Sequence, residues 1–476
     1  MNRSEMYRRM AAHQGPWDMI VIGGGATGAG IAVDAAARGY ELLLLEQNDF
    51  GKGTSSRSTK LVHGGVRYLE QGNLSLVMEA LKERGLLLQN APHLVRNLAF
   101  VVPAYDWWES PFYGVGLKLY NLLAGKYGFG DSRILSREET LEKLPTINPE
   151  GLRGGVVYYD GQFDDARLLI DLLQTAGGLG ATLLNYAQVT ALDGHTVRVR
   201  DHIAGREFEA AGKVLINATG AFTDDVRRLA EPRSEAIIAP SQGVHLVFDR
   251  SFLASDHAIM VPHTSDGRVM FAIPWHGHTV VGTTDTPVPA AELEPVAMEQ
   301  EVEFILQTAS LYLARKPERS DVLSVFAGIR PLVREGGAGN TAALSRGHTI
   351  RLEPGGMMTI CGGKWTTYRR MSEDGVNQAA ILAGLPPVAC VTASLRIQPP
   401  EPGDALLRAV RDEMAETVED VLARRTRTLF LNAREALAQA PAVAKRMAVE
   451  LNRDTDWEAQ QVAAFRKVAG GYLLAP

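Results

Sequence analysis

The apolar run Asp18-Met19-Ile20-Val21-Ile22 breaks into Gly23-Gly24-Gly25-Ala26-Thr27-Gly28, and a second apolar run ends at Glu46. This order predicts a buried strand, a glycine turn, a helix over Gly30 to Arg38 and a second strand. Gly23 permits the tight turn, and Gly25 lets backbone N–H groups approach a pyrophosphate. Gly28 lets the helix pack closely on the strand. The helix N-terminus, carrying Ala26 and Thr27, faces the phosphates. Glu46 stands where a carboxylate can accept hydrogen bonds from both ribose hydroxyls. The unit is a site for the ADP half of a dinucleotide.

Further along, Thr54-Ser55-Ser56-Arg57-Ser58-Thr59-Lys60 opens a pattern that reads as helical through His63 and Tyr68, and a longer helix follows from Leu74 to Leu88. Between Phe100 and Gly130, Trp107, Trp108, Phe112, Tyr113, Leu117, Leu119 and Tyr120 lie among lysines. Asp164-Asp165-Ala166-Arg167 starts a helix over Leu168 to Ala176, with strand-like segments around Leu183 and Val197. Val214 to Asn217 reads as a buried strand ending at the turn Ala218-Thr219-Gly220, with a helix behind it. Strands dominate from Ile237 to Thr284, a helix follows near 297–315, and Phe326 to Arg370 returns to short strands and glycine turns. The double prolines 386–387 and 399–400 mark a linker into a helical module, where Ala405 to Ala438 shows long helical periodicity.

With 476 residues the chain is too long for one core, so two or three domains are expected. A net charge of −6 gives no support for nucleic-acid binding. Cys361 and Cys390 are the two cysteines, with no metal-like spacing, which suits a reducing compartment and predicts neither a disulfide scaffold nor a metal site. Met1 to Gln14 is polar and basic, unlike a signal peptide, and no stretch approaches the ~20 apolar residues of a membrane span. The expected location is the cytoplasm, with contact to a membrane face open.

A third glycine cluster, Gly362-Gly363-Lys364-Trp365-Thr366, precedes a helical stretch. Three glycine turns that end strands and open helices can converge at the carboxyl edge of one parallel sheet. The first would hold pyrophosphate, the second would pass near the adenosine side, and the third would bring N–H groups to an isoalloxazine carbonyl. That order favours FAD over a nicotinamide cofactor, in an α/β fold.

Longer runs carry a more specific likeness. Ile22 to Gly30, Thr54 to Glu70 and Asp164 to Leu168 belong to it, as do Asn217 to Gly220 and Gly282-Thr283-Thr284-Asp285. Ala327 to Leu332 and Gly362 to Arg369 complete it, so that it spans positions 17 to about 385. Through these residues the chain resembles the FAD-dependent, quinone-linked aerobic glycerol-3-phosphate dehydrogenases. Their relatives are the glycerol-3-phosphate oxidases, within the flavoprotein class that includes amino-acid oxidases.

The resemblance implies a Rossmann-like FAD-binding domain of the glutathione-reductase/amino-acid-oxidase type, a β-rich substrate domain and a small helical C-terminal module. The expected division is 17–95 plus 160–235 plus 326–388 for FAD, 96–159 plus 236–325 for substrate, and 400–476 for the module. It adds Thr54, Ser55, Ser58, Lys60, His63, Gly64 and Gly65 to the cofactor residues. Arg67, Tyr68, His245, Arg330, Arg346 and Lys364 match substrate-contacting positions, and Thr283 and Thr284 are expected to shape the same pocket. Arg346 is followed by Gly347-His348, where family members often carry an acidic residue and a tyrosine.

The implied reaction is oxidation of sn-glycerol 3-phosphate to dihydroxyacetone phosphate, with hydride passing to flavin N5 and the hydroxyl proton to a base. His245 is the candidate base, while an ordinary strand histidine held by backbone is the alternative. Arg330 and Lys364 would stabilise the developing alkoxide. The implied electron acceptor is membrane quinone, with Trp107 to Phe129 as a peripheral membrane contact or, equally, a core-covering helix. The oxidase relatives carry a mid-chain insertion that this chain lacks, which favours a dehydrogenase. Use of dioxygen, or another small hydroxy or amino acid as substrate, stays open. The linker from Cys390 to Ala405 is shorter than in most relatives, so part of the C-terminal domain is expected to be absent. Arg424, Arg425 and Arg427 read by default as a solvated helix face. The resemblance also leaves open that this stretch bears on active-site closure or on a homodimer contact.

Overall fold

The computed structural model describes residues 1–65, 74–106, 109–262, 264–265, 267–334 and 347–475. Two sheets organise them. The first runs in the order His348–Leu352, Met358–Gly362, Arg206–Asn217, Trp17–Ile22, Leu42–Leu45 and Thr182–Leu184. The four pairings from Met358–Gly362 to Thr182–Leu184 are parallel, and His348–Leu352 adds an antiparallel edge. Strands Ala187–Asp193 and Thr196–Asp201 extend it as an antiparallel flap on Arg206–Asn217. Leu42, Leu43, Leu44 and Leu45 are all buried, as a parallel strand covered on both faces requires. Helices Ala26–Ala37, Asp165–Gly178 and Tyr368–Leu382 supply much of that cover.

The second sheet is mostly antiparallel. Strand Ile238–Asp249 pairs with Thr286–Pro287, His278–Gly282 and Ser324–Val333. The sheet continues through Met270–Trp275, Ala258–Val261, Val95–Ala104 and Gly154–Phe163 to Leu61–Val62. Alternation along Ile238–Asp249 sends Val244, Leu246 and Phe248 into one core and Val247 into another. Ser324–Val333 straddles the expected boundary at 326 yet pairs along its length within this sheet. The three-part division is kept as a proposal about folding units.

Two expectations about local structure are corrected. The stretch from Thr54 is not helical through His63: a single 3-10 turn, Thr54–Ser56, gives way to strand Leu61–Val62. Lys60, at φ +63°, turns the chain out of a helical path, and Leu61 and Val62 then pair with Gln162 and Gly161. Likewise, Ala405 to Ala438 is not one long helix. Helix Ala405–Asp412 is followed by a π-helical turn, Asp420–Arg425, then Thr428–Leu431 and Ala433–Leu451. Met414 and Arg427 have left-handed φ values that break the run.

Those breaks let the C-terminal helices fold back onto the second sheet. Phe430 packs edge-on against Phe326, and Val325 N–H donates to the Tyr472 carbonyl at 3.0 Å. Of the arginines expected on a solvated face, Arg424 and Arg425 are buried instead and Arg427 is partly buried. Arg424 Nε donates to Asp49 Oδ2 at 2.5 Å, and Arg425 grips both Asp49 oxygens at 2.7 and 2.8 Å. Arg427 pairs with Asp164 at 3.0 Å. Asp49 follows the second strand of the dinucleotide unit, so the module is tied ionically to the cofactor-binding half. Among the described residues no helix is long and apolar enough to cross a membrane.

Candidate active site

The carboxyl edge of the first sheet opens onto a cavity of about 890 Å³, within the range of roughly 300–1,000 Å³ typical of ligand sites. All three glycine turns reach it. Gly23, Gly25, Ala26 and Thr27 line it from the first turn, Ala218, Thr219 and Gly220 from the second, and Gly362, Gly363, Lys364, Trp365 and Thr366 from the third. Thr54, Ser55, Ser58 and His63 form another wall. Side chains lock the turns together: Trp365 Nε1 donates to the Ser55 carbonyl at 2.8 Å, and Thr54 Oγ1 donates to the Ile329 carbonyl at 2.6 Å.

The first turn owes its shape to its glycines. Gly23 has φ +109°, and a Cβ on Gly28 would stand 1.9 Å from the Gly23 carbonyl oxygen. Gly28 is therefore architectural and lies off the cavity wall, as close helix–strand packing demands. The Ala26 N–H, at the helix start, donates to Ser55 Oγ at 2.9 Å. Glu46 lines the cavity and accepts from the Gly24 and Asn48 N–H groups at 2.7 and 2.8 Å. Burial raises its pKa above the ordinary carboxylate value.

Beyond these residues the cavity continues along Gln188, Val189 and Thr190, facing Phe222, Val226 and Leu229. Val189, Val226 and Leu229 give this slot apolar surface that suits a flat heterocycle, beside polar Gln188, Thr190, Arg200 and Asp225, and none of these residues was singled out from the sequence. Its signal was only a short strand and an amphipathic helix, patterns found throughout α/β proteins.

At the other end stand His245, Gly243 and Arg330. His245 is 2% exposed, its ring stacked on Phe326 at 4.8 Å. Its Nε2 lies 2.9 Å from Thr59 Oγ1, and its buried Nδ1 has no hydrogen-bond partner among the described residues. Burial first, then the charges of Lys60 and Arg330, push its pKa well below the usual histidine value. The imidazole is therefore neutral near pH 7 and able to take a proton. Thr59, which orients the ring, was not among the expected site residues although it lies within the run Thr54 to Glu70.

The Arg330 guanidinium is held firmly. Its Nη2 donates to Thr283 Oγ1 at 3.1 Å and the Thr284 carbonyl at 2.9 Å, and its Nη1 reaches Asp285 Oδ1 at 3.2 Å. Thr283 and Thr284 thus stand behind Arg330 and off the cavity lining. Gly64 and Gly65 are also off the lining; a Cβ on Gly64 would meet the Tyr120 hydroxyl at 2.4 Å. Arg67, Tyr68 and Arg346 lie outside the described residues, as do Trp107 and Trp108.

Lys60 requires a correction. It is wholly buried and does not line the cavity. Its ammonium donates to both Asp165 oxygens at 2.9 and 2.8 Å and to the Ser56 carbonyl at 2.7 Å. Trp275, Phe326 and Phe430 surround it at 5.0 to 5.2 Å. A buried ammonium needs such partners, and they hold it off the cavity lining.

A parallel sheet with a dinucleotide turn, joined to an antiparallel sheet that supplies a histidine and an arginine at the far end of the same cavity, defines a two-sheet flavin-dependent oxidoreductase. The comparisons agree with that class. The FAD dependent oxidoreductase profile matches residues 18–369, and the C-terminal domain of alpha-glycerophosphate oxidase matches 394–460. The chain is 38% identical to human mitochondrial glycerol-3-phosphate dehydrogenase, over 95% of this chain and 73% of that protein. It is 45% identical to a mitochondrial glycerol-3-phosphate dehydrogenase of Arabidopsis thaliana, over 80% of this chain and 64% of that one. A Bacillus halodurans glycerol-3-phosphate dehydrogenase complexed with FAD superposes with a TM-score of 0.81 at 28% identity, covering 99% of this chain and 97% of that one. Glycine oxidase from Geobacillus kaustophilus shares the fold, with a TM-score of 0.58 at 19% identity. The chain belongs to the FAD-dependent glycerol-3-phosphate dehydrogenase and oxidase family.

Proposed function

We propose that this protein oxidises sn-glycerol 3-phosphate to dihydroxyacetone phosphate and passes the electrons to a membrane quinone. The observation that carries the reading is the shared cavity: Arg330, Lys364 and a neutral His245 line the space into which all three glycine turns open. The residues fit FAD. The Gly25 and Thr27 backbone at the helix N-terminus, with the Ser55 hydroxyl that Ala26 N–H holds, suits the pyrophosphate, Glu46 the ribose, the slot at Val189 and Leu229 the adenine, and the turn at Gly362 to Thr366 the ring system. FAD, when bound, supplies a ring that accepts hydride from carbon 2.

The remaining chemistry belongs to the chain. Arg330 and Lys364 hold the anionic substrate and offset charge growing on the carbon 2 oxygen. His245 takes the hydroxyl proton, with Thr59 fixing the ring orientation. Arg67, Tyr68 and Arg346 are proposed to complete the phosphate grip.

The quinone reading draws support from an apolar surface. Phe112, Val115 and Leu119 point outward at helical spacing from helix Glu109–Ala124, while Leu74 and Met78 are exposed on the neighbouring helix Leu74–Asn90. Tyr120 and Leu81, from the same two helices, close on Gly64 next to the cavity wall. Docking this surface on the inner face of the cytoplasmic membrane would bring a lipid-soluble acceptor towards the cofactor. Turnover with glycerol 3-phosphate and a short-chain quinone tests it: quinone reduction should equal dihydroxyacetone phosphate formed. Hydrogen peroxide formed in equal amount, with quinone untouched, would make dioxygen the acceptor.

A further inference from the structure

Glu301 lies outside the cavity, at the start of helix Glu299–Tyr312, and is 2% exposed. Four donors converge on its carboxylate. Oε1 accepts from Thr284 Oγ1 at 3.0 Å and Thr286 Oγ1 at 2.7 Å. Oε2 accepts from Gln242 Nε2 at 2.7 Å and the Met298 N–H at 3.0 Å. This set matches the roughly four lone-pair sites of an ionised carboxylate.

The grip has a consequence at Arg330. Two residues that Glu301 holds by their side chains, Thr284 and Gln242, present their backbone carbonyls to the Arg330 guanidinium, at 2.9 and 3.4 Å. Thr284 Oγ1 also accepts from the Val244 N–H at 3.0 Å, directly before His245. One buried carboxylate thereby ties together the strand bearing His245 and the turn that cradles Arg330.

We propose that Glu301 is a positioning residue for substrate binding, acting through Arg330. This rests on the reading of Arg330 as a ligand of the substrate's anion. A carboxylate is favoured because all four partners now donate to it, two to each oxygen. A glutamine amide would have to set its oxygen against Gln242 and Met298 and its NH2 against the Thr284 and Thr286 hydroxyls, which would then lose the hydrogen bonds they donate. Gln242 cannot turn its own amide over without setting its oxygen against the Val296 carbonyl, to which it now donates at 3.0 Å.

The test is a double-mutant cycle in the FAD-loaded protein, reading the Kd of dihydroxyacetone phosphate from the change in flavin absorbance. Glu301→Gln should weaken binding roughly tenfold, as expected for losing hydrogen bonds to a charged group. In an Arg330→Ala background the same change should add nothing, because the positioned group is gone. Multiplying losses, or wild-type affinity in Glu301→Gln, would overturn the proposal. Should Glu301→Gln fail to fold, Thr284→Val enters the same cycle with the same two readings. Wild-type protein that neither binds dihydroxyacetone phosphate nor is reduced by glycerol 3-phosphate would refute the substrate reading itself. Multiplying losses beside a responsive wild type would refute Glu301 alone.

Discussion

Gly243→Ala isolates the placement of Arg330 from its charge. Gly243 sits in a strand paired residue for residue with Ser324–Val333, and its φ lies outside the left-handed region, so alanine suits the backbone. The added Cβ would stand 2.4 Å from Arg330 Nη2 and 2.7 Å from both Cζ and Nη1. Ordinary van der Waals contact begins near 3.4 Å, so the guanidinium must withdraw by about 1 Å. The clash falls on the tip of a flexible side chain, so the fold and FAD content should survive. Withdrawal pulls Nη2 from Thr283 and Thr284 and moves the positive charge from its place in the cavity. A displacement of that size costs on the order of 100-fold in rate when the group acts on the reacting atoms. Stopped-flow reduction of the flavin by glycerol 3-phosphate, without oxygen, measures it. A variant with full FAD and a rate within about threefold of wild type would refute the role given to Arg330.

Other outcomes follow from the same geometry. Gly28→Ala drives a Cβ to 1.9 Å from a backbone oxygen, so it should abolish FAD retention, read from the yellow absorbance of purified protein. Asp49→Asn strips the charge that pairs two buried arginines and should destabilise the fold by about 3–5 kcal/mol, seen as a lower thermal midpoint. Those arginines hold the Asp49 pKa down to about 2. Its contribution to stability is thus complete above the ordinary carboxylate value and disappears as pH falls towards 2, which acid titration of unfolding would reveal. His245 stays neutral to well below pH 6.5, so the acid limb of the flavin-reduction rate should lie below that value. A limb centred near 6.5 would remove His245 as the base. The unfolded chain gains this proton first, so the depressed pKa also costs stability as pH drops below about 6.5.

The dinucleotide turn was legible because its demands are local. Gly23 and Gly28 are forced by a positive φ and by contacts within one turn, and Glu46 by its place at the end of the next strand. Lys60 shows the limit. It lies in the most distinctive run of the chain and was read with its neighbours as a cofactor ligand. Its orientation depends on Asp165, Trp275, Phe326 and Phe430, distant in sequence and joined only by the fold. Arg424 and Arg425 are a second case. A basic stretch on an amphipathic helix is normally solvated, and nothing near it points to Asp49, some 375 residues earlier. The helical periodicity from Ala405 also hid its own breaks, since Met414 and Arg427 adopt left-handed φ without being glycine.

The central claim is that one cavity holds the flavin and grips a phosphate-bearing alcohol beside His245. Anaerobic titration of the FAD-loaded protein tests it most directly, with flavin absorbance followed against sn-glycerol 3-phosphate, glycerol, a 2-hydroxy acid and glycine in turn. Saturable bleaching by sn-glycerol 3-phosphate alone is the predicted result. Bleaching by glycine or the hydroxy acid, with none by glycerol 3-phosphate, would contradict it.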